Sequence, residues 1–209
     1  MNNENAYNIW ADQYDTNSNK TRDLDSKFTV ETLNKFDFSK VIELGCGTGK
    51  NTTYLLTKAD KVIGLDFSQE MLNRAKAKIQ NERAEFHKAD ITASWDIEND
   101  SADLVTCSLV LEHIKDLDPV FNQAYKALIN GGIFFISKLH PFKQYSGSKA
   151  QFETKQGTQE LITHVHHISE YLDLAFQNGF ELIELEECFD EENKRGIPRL
   201  IGIVFRKKH

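Results

Sequence analysis

Disulfide chemistry is the first thing this chain lacks. Its three cysteines, Cys46, Cys107 and Cys188, have no CxxC spacing and are too few and too irregular for a disulfide framework or a zinc knuckle, so they read as reduced, buried thiols. A positive surplus is missing too: 32 acidic residues outnumber 25 Lys and Arg, and the formal net charge of −7 gives no basic field to draw nucleic acid or anionic lipid. No apolar run approaches bilayer length, and the polar start "MNNENAYNIWADQYD" has no basic segment leading into an apolar one. The expectation is a soluble, cytoplasmic protein with neither a membrane nor a nucleic-acid partner. Repeats, low-complexity tracts and linkers are lacking as well, so the 209 residues, 40% of them hydrophobic, are expected to form one domain over 1–209.

What is present is an alternation of strand and helix patterns. "KVIEL", "KVIGLD", "AEFHKAD", "ADLVTCS" and "GGIFFISK" are short β-branched or aromatic runs punctuated by Gly, Asp or Ser, the pattern of buried parallel strands. Between them, "SQEMLNRAKAKIQ" reads as a helix with Ser68 as N-cap, and "DPVFNQAYKALINGG" as one with Asp118 as N-cap, Pro119 at the first helical position and Gly131 as terminator. Alternation of this kind predicts a doubly wound α/β fold. After His140 the pattern changes. "QFETK" and "QELITHV" read as a hairpin inside a small cap, 140–167, inserted after the fifth strand. "SEYLDLAFQNGF" then reads as a helix ended by Gly179. "FELIELEECF" and "PRLIGIVFRK", joined by "DEENKRGI", read as antiparallel neighbours, because the connection is too short for a helical crossover. Seven strands result, mostly parallel with an antiparallel last strand.

The turn "ELGCGTG" directly after the first strand places Gly45, Gly47 and Gly49 where bare backbone can lie against a ligand at the carboxyl end of the sheet. Its spacing is GxGxG; a dinucleotide fingerprint would need glycine at position 50, which is Lys50. The second strand ends in Asp66, seventeen positions beyond Gly49, where a carboxylate can accept hydrogen bonds from both hydroxyls of a ribose. The alternative, an N-cap for the next helix, competes with Ser68. Asp90 ends the third strand, within reach of an adenine amino group or as an Asx turn residue.

Taken in order and spacing, "VIELGCGTG", "VIGLDFSQEML", "KADI" and "ADLVTCSLVLEHI" resemble the successive motifs of class I S-adenosylmethionine-dependent methyltransferases, a resemblance running from about Asn5 to the C-terminus. It implies a Rossmann-like sheet and S-adenosyl-L-methionine as cofactor. Carried over residue by residue, it implies that Glu43, Gly45 and Gly47 contact the methionine part, Asp66 the ribose, Phe67 and Met71 the adenine faces, and Asp90 and Ile91 the adenine edge. Ser108 and Leu109 would lie beside the sulfonium. An N-terminal "YD" element often folds over the cofactor in this family; here 1–36 would be a helical cover, Tyr14 would take that role and Arg22 would pair with the cofactor carboxylate.

Methyl transfer from a sulfonium is an in-line displacement with a strongly activated donor, so the protein chiefly supplies proximity, alignment and exclusion of water. Where the acceptor must lose a proton, histidine suits the task. His113 in "LEHI", His140 in "KLHPF" at the end of the fifth strand, and His167 before the penultimate helix are the candidates. In "HVHH", His164 and His166 would share one side of a strand, but no Cys or carboxylate stands at ligand spacing and no metal site is expected. The expected activity is methyl transfer to a small-molecule or carrier-bound acceptor. The alternatives are a carboxyl O-methyltransferase of an acyl-carrier substrate, with Lys138, Lys143 or Lys149 holding the carboxylate, or a non-catalytic cofactor-binding protein. Acceptor identity and oligomeric state are open.

Overall fold

The computed structural model describes residues 2–148, 150–154, 157–190 and 196–208. Two helices come first, α1 (Asn3–Tyr14) and α2 (Lys20–Leu33), started by Asn2 and Asn19, whose side chains accept from the backbone N–H three residues on. Then β1 (Lys40–Leu44), α3 (Lys50–Leu55), β2 (Lys61–Asp66), α4 (Gln69–Lys78), β3 (Ala84–Lys88) and β4 (Ala102–Ser108) alternate. They are followed by a 3-10 turn (Leu111–His113), α5 (Asp118–Ala127), β5 (Leu128–Leu139), α6 (Pro141–Tyr145), the hairpin β6 (Gln151–Thr154) and β7 (Gly157–Glu160), α7 (Ile168–Gln177), β8 (Phe180–Cys188) and β9 (Leu200–Lys207).

Seven strands form one sheet in the order β3-β2-β1-β4-β5-β9-β8. β1 to β5 pair in parallel, and β9 runs antiparallel between β5 and β8. Neighbouring residues of β1 serve opposite faces: Val41 packs with Leu33, Leu55 and Val204 on the side of α2 and α3, whereas Ile42 packs with Phe121, Phe134 and Tyr171 on the side of α5 and α7. The chain lays β1, β2 and β3 outward in one direction and β4 and β5 in the other, so a crevice opens beyond the carboxyl ends of β1 and β4, where ligands bind in such sheets.

Three local expectations need correction. Helix α5 begins at Asp118, with Leu117 as N-cap and no side-chain cap bond; Asp116 instead accepts from the Asp118 N–H at 3.2 Å, which leaves Asp118 inside the first turn. Gly131 terminates nothing. The helix stops at Ala127, and Gly131, at φ +80°, lies in the irregular stretch where the β4–β5 register shifts between Ala102 and Leu104. The second hairpin strand ends at Glu160, so His164 and His166 lie on no strand. Residues 191–195 of the β8–β9 connection are outside the described residues.

The hairpin and α1 share a small core of Ala6, Trp10, Phe152 and Leu161, in which Trp10 stacks on Phe152 with ring centroids 4.8 Å apart. Segments about 140 residues apart in sequence thus meet over the carboxyl ends of the strands.

Candidate active site

At the end of β1 the chain must turn within a few residues, and the three glycines do different work. A Cβ on Gly45, at φ +64°, would come within 2.2 Å of Val110 Cγ2, so this glycine is dictated by packing against the turn after β4. Gly49 likewise makes room for Ile79. Gly47, at φ +53°, has nothing within 4 Å of its Cβ position: here the bare backbone faces open space.

That space is a cavity of about 910 Å³. It brings together ten of the twelve cofactor residues expected from sequence: Tyr14, Gly45, Gly47, Asp66, Phe67, Met71, Asp90, Ile91, Ser108 and Leu109. The other two, Arg22 and Glu43, line a cleft of about 50 Å³ next to it, together with Tyr14, Gly45, Gly47, Ser108 and Leu109. A third cavity, about 200 Å³, runs beneath α1 and shares Tyr7, Tyr14, Leu109 and His113 with the first.

Asp66 is 5% exposed. Its Oδ2 accepts from the Gly47 N–H at 2.9 Å and its Oδ1 from the Ser68 N–H at 2.8 Å, leaving one lone pair on each oxygen for a diol. Burial pushes its carboxyl up to about 6, against those backbone donors. The capping task that competed for Asp66 falls to Ser68, whose hydroxyl accepts from the Met71 N–H. Asp90 keeps both of its readings: it lines the cavity, and its Oδ1 accepts from the Thr92 N–H and hydroxyl as an Asx turn.

The small cleft holds an acid and a guanidinium. Glu43, tied to the Thr52 hydroxyl, is pushed up to about 8 by burial. Arg22 donates to the carbonyls of Tyr14 and Asn17, lies with its guanidinium 4.1 Å from the Tyr14 ring centroid, and has no acidic partner among the described residues. An acid and an unpaired guanidinium side by side fit the ammonium and carboxylate of an amino acid, and the open face at Gly47 together with Asp66 fits a nucleoside. Adjacent sites of these two kinds accommodate S-adenosylmethionine, which when bound supplies the electrophilic methyl group.

Leu109, at φ +58°, borders all three cavities. A left-handed leucine costs about 1–2 kcal/mol, and the bond from its N–H to the Ser137 carbonyl at 2.8 Å holds it there.

Of the three candidate histidines, His113 lines two of these three cavities, and His140 and His167 line none of them. His140 caps α6: its Nδ1 accepts from the Phe142 N–H, so Nε2 carries the proton and donates to Glu187 at 3.1 Å. Burial holds its imidazole below the usual range, with Glu187 opposing, and both nitrogens are committed to structure. His167 pairs with the Tyr145 hydroxyl at 2.7 Å and lines none of the three cavities. His166 is held between Glu170 and the Ile114 carbonyl, and among the described residues no three His, Cys, Asp or Glu side chains converge as metal ligands. Lys138 is fully buried on Gln144 and the Tyr171 ring, Lys143 is away from the cavities, and Lys149 is outside the described residues.

Sequence reasoning missed Tyr7 and Glu112, and placed His164 in a histidine cluster rather than at the cavity it lines. Tyr7 had a legible signal: with Trp10 and Tyr14 it recurs at helical spacing, an aromatic stripe on one face of α1.

Residues 42–136 match the family described as a methyltransferase domain. The chain is 26% identical to an uncharacterized methyltransferase of Emericella nidulans, over 95% of this chain and 82% of that one. It is 31% identical to the trans-aconitate 2-methyltransferase of Variovorax paradoxus over 47% of this chain, a region that spans only 38% of that enzyme. The fold superimposes on an S-adenosylmethionine-dependent methyltransferase of Clostridium acetobutylicum with a TM-score of 0.73, covering 96% of this chain and 97% of that one at 17% identity, a likeness of fold. With the glycine turn, the acid ending β2 and the strand order in agreement, residues 42–136 carry a methyltransferase domain similar to those of S-adenosylmethionine-dependent methyltransferases, with S-adenosylmethionine as the cofactor.

Proposed function

We propose that the chain methylates a small-molecule or carrier-bound acceptor in the cytoplasm, which enters the 200 Å³ cavity beneath α1. In this reading Asp66 holds the ribose hydroxyls, Phe67 and Met71 flank the adenine, and Asp90 and Ile91 meet its edge. Glu43, Gly45, Gly47 and Arg22 take the methionine part, Tyr14 closes over it, and Ser108 and Leu109 flank the sulfonium.

The observation that carries the reading is the adjacency of the cavities. The nucleoside space and the amino-acid cleft share Gly45, Gly47, Ser108 and Leu109, so the sulfonium belongs at that wall, and the third cavity meets it at Leu109 and Tyr14. Residues 1–36 and 140–167 act as its cover. An acceptor site of about 200 Å³, roofed by a helix and a hairpin, suits a metabolite or the end of a carried chain and excludes a duplex or a folded protein surface. One relative is named for trans-aconitate, a small acceptor.

The test is transfer of a labelled methyl group from S-adenosylmethionine into three pools: a protein-free metabolite extract, total RNA and denatured protein. Label is expected in the low-mass fraction. Label confined to RNA or polypeptide contradicts the proposal.

A further inference from the structure

We infer that Tyr7 is a catalytic residue that takes a proton from the acceptor and hands its own to His113, which makes the acceptor a protic nucleophile (a hydroxyl, a thiol or an amine N–H) rather than a carboxylate. The inference rests on the methyl-transfer reading above.

The geometry fixes the direction of the relay. His113 Nδ1 lies 3.0 Å from the Ile162 carbonyl, which only accepts, so Nδ1 carries the ring proton and Nε2 offers a lone pair. Tyr7 Oη, 2.9 Å from Nε2, is therefore the donor of that bond. Ile162 is held in turn: its N–H donates to Asn3 Oδ1 and its carbonyl accepts from Asn3 Nδ2, each at 2.9 Å. One helix, α1, thus supplies both the phenol and the clamp that sets the imidazole tautomer. The Tyr7 ring is fixed from other sides by Trp10, Tyr14 and Phe67, at centroid distances of 5.7, 6.4 and 5.6 Å.

Position makes this pair the one that meets both reactants. Tyr7 and His113 both line the 910 Å³ and the 200 Å³ cavities, and so stand where cofactor space passes into acceptor space. No side-chain bond other than the one to His113 involves Tyr7 Oη among the described residues, which leaves its lone pairs free to accept.

Burial, with Tyr14, Glu112 and Asp66 adding to it and Arg22 opposing, holds the phenol well above its ordinary range. A standing phenolate is thereby disfavoured, and Tyr7 works by passing a proton on as it receives one. The step balances: the acceptor X–H proton moves to Tyr7 Oη while the Tyr7 proton moves to His113 Nε2. The pair freed on a hydroxyl oxygen or thiol sulfur, or the existing lone pair of an amine whose N–H proton leaves as the bond forms, bonds to the methyl carbon, and the carbon–sulfur bond breaks with its electrons remaining on sulfur. His113 is only partly buried and returns its extra proton to water through the cavity mouth. A carboxylate acceptor is already ionised at neutral pH and would give this relay nothing to do.

Phenol, thiophenol, benzylamine, benzyl alcohol and benzoate share one ring and differ in the reacting atom. Methyl transfer to each is measured with wild-type protein, Tyr7→Phe and His113→Gln, alongside S-adenosylhomocysteine binding by calorimetry. Tyr7→Phe keeps the ring and its packing, and His113→Gln keeps an acceptor for the phenol while losing the proton sink. Transfer is expected to at least one protic probe, with kcat lowered roughly 10²–10⁴-fold in both variants, KM and S-adenosylhomocysteine affinity within about threefold, and a solvent deuterium effect that disappears in Tyr7→Phe. Undiminished turnover in either variant overturns the relay. So does transfer to benzoate alone, or to none of the protic probes. Failure of the wild-type protein to bind S-adenosylhomocysteine would instead remove the methyltransferase reading itself.

Discussion

Asp66 shows what a fold can do to one carboxylate. Its burial is incomplete in a useful sense: the backbone takes one lone pair from each oxygen, and the cavity faces the rest. With its carboxyl at about 6 in the empty site, protonation below that pH replaces a charge-assisted acceptor by a neutral acid. Through this group, cofactor affinity should therefore fall roughly tenfold between pH 7 and pH 5. Asp66→Ala should weaken binding by about 1.5–3 kcal/mol at pH 7.5 and abolish that acid dependence. Calorimetry across the pH range checks both, and an acid dependence that survives in the variant would place the titrating group elsewhere. Asp66 could be singled out in sequence because an acid ending a second strand has few structural tasks there, and it does line the cavity. His140 was misleading for the opposite reason. It follows β5 as an active-site residue would, but Pro141 begins a helix and the imidazole is used to cap it. Whether a polar side chain serves a cap or a pocket depends on the adjacent turn, which a one-dimensional pattern does not carry.

At the scale of elements, α1 is held over the site in part by exposed charges. Outside the small core it shares with the hairpin, it is fastened to the cofactor side by ion pairs: Asp12 with Arg74, Asp15 with Lys78 at 2.9 Å, and Glu4 with Lys88 at 2.8 Å. The Ser68 hydroxyl adds a bond to Asn8 at 2.7 Å. Exposed pairs of this kind are worth about 0–1 kcal/mol each and are screened by salt. The double variant Arg74→Gln with Lys78→Gln should therefore release S-adenosylhomocysteine about three- to tenfold faster in stopped flow. Raising salt from 50 to 500 mM, about a threefold shortening of the Debye length, should do much the same to the wild-type protein. A release rate indifferent to both would mean that α1 is fixed by packing alone. Helix α4 was fully readable, from Ser68 to its terminal lysines, because its cap and its charges agree. The α5 start and the short β7 were not, since Asp116 displaced the expected cap and the chain after Glu160 gives its backbone to Asn3 and Glu112 instead of a strand partner.

Across the whole molecule, alternating β-branched runs and helix signals were enough to foresee a doubly wound sheet, and the short link between the last two strands enough to foresee their antiparallel pairing. Those features are written locally, in period and in turn residues. The acceptor cavity is not: Trp10, His113 and Gln144, three of its walls, come from segments more than thirty residues apart and meet only once α1 folds over the sheet. The central claim is that this crevice holds S-adenosylmethionine with its sulfur at the meeting point of three cavities. A crystal structure with S-adenosylhomocysteine bound tests it most directly. The account predicts both ribose hydroxyls within hydrogen-bond distance of Asp66, the carboxylate at Arg22, and the sulfur against Ser108 and Leu109. An adenosine seated away from Asp66, or a sulfur without access to the 200 Å³ cavity, would contradict it.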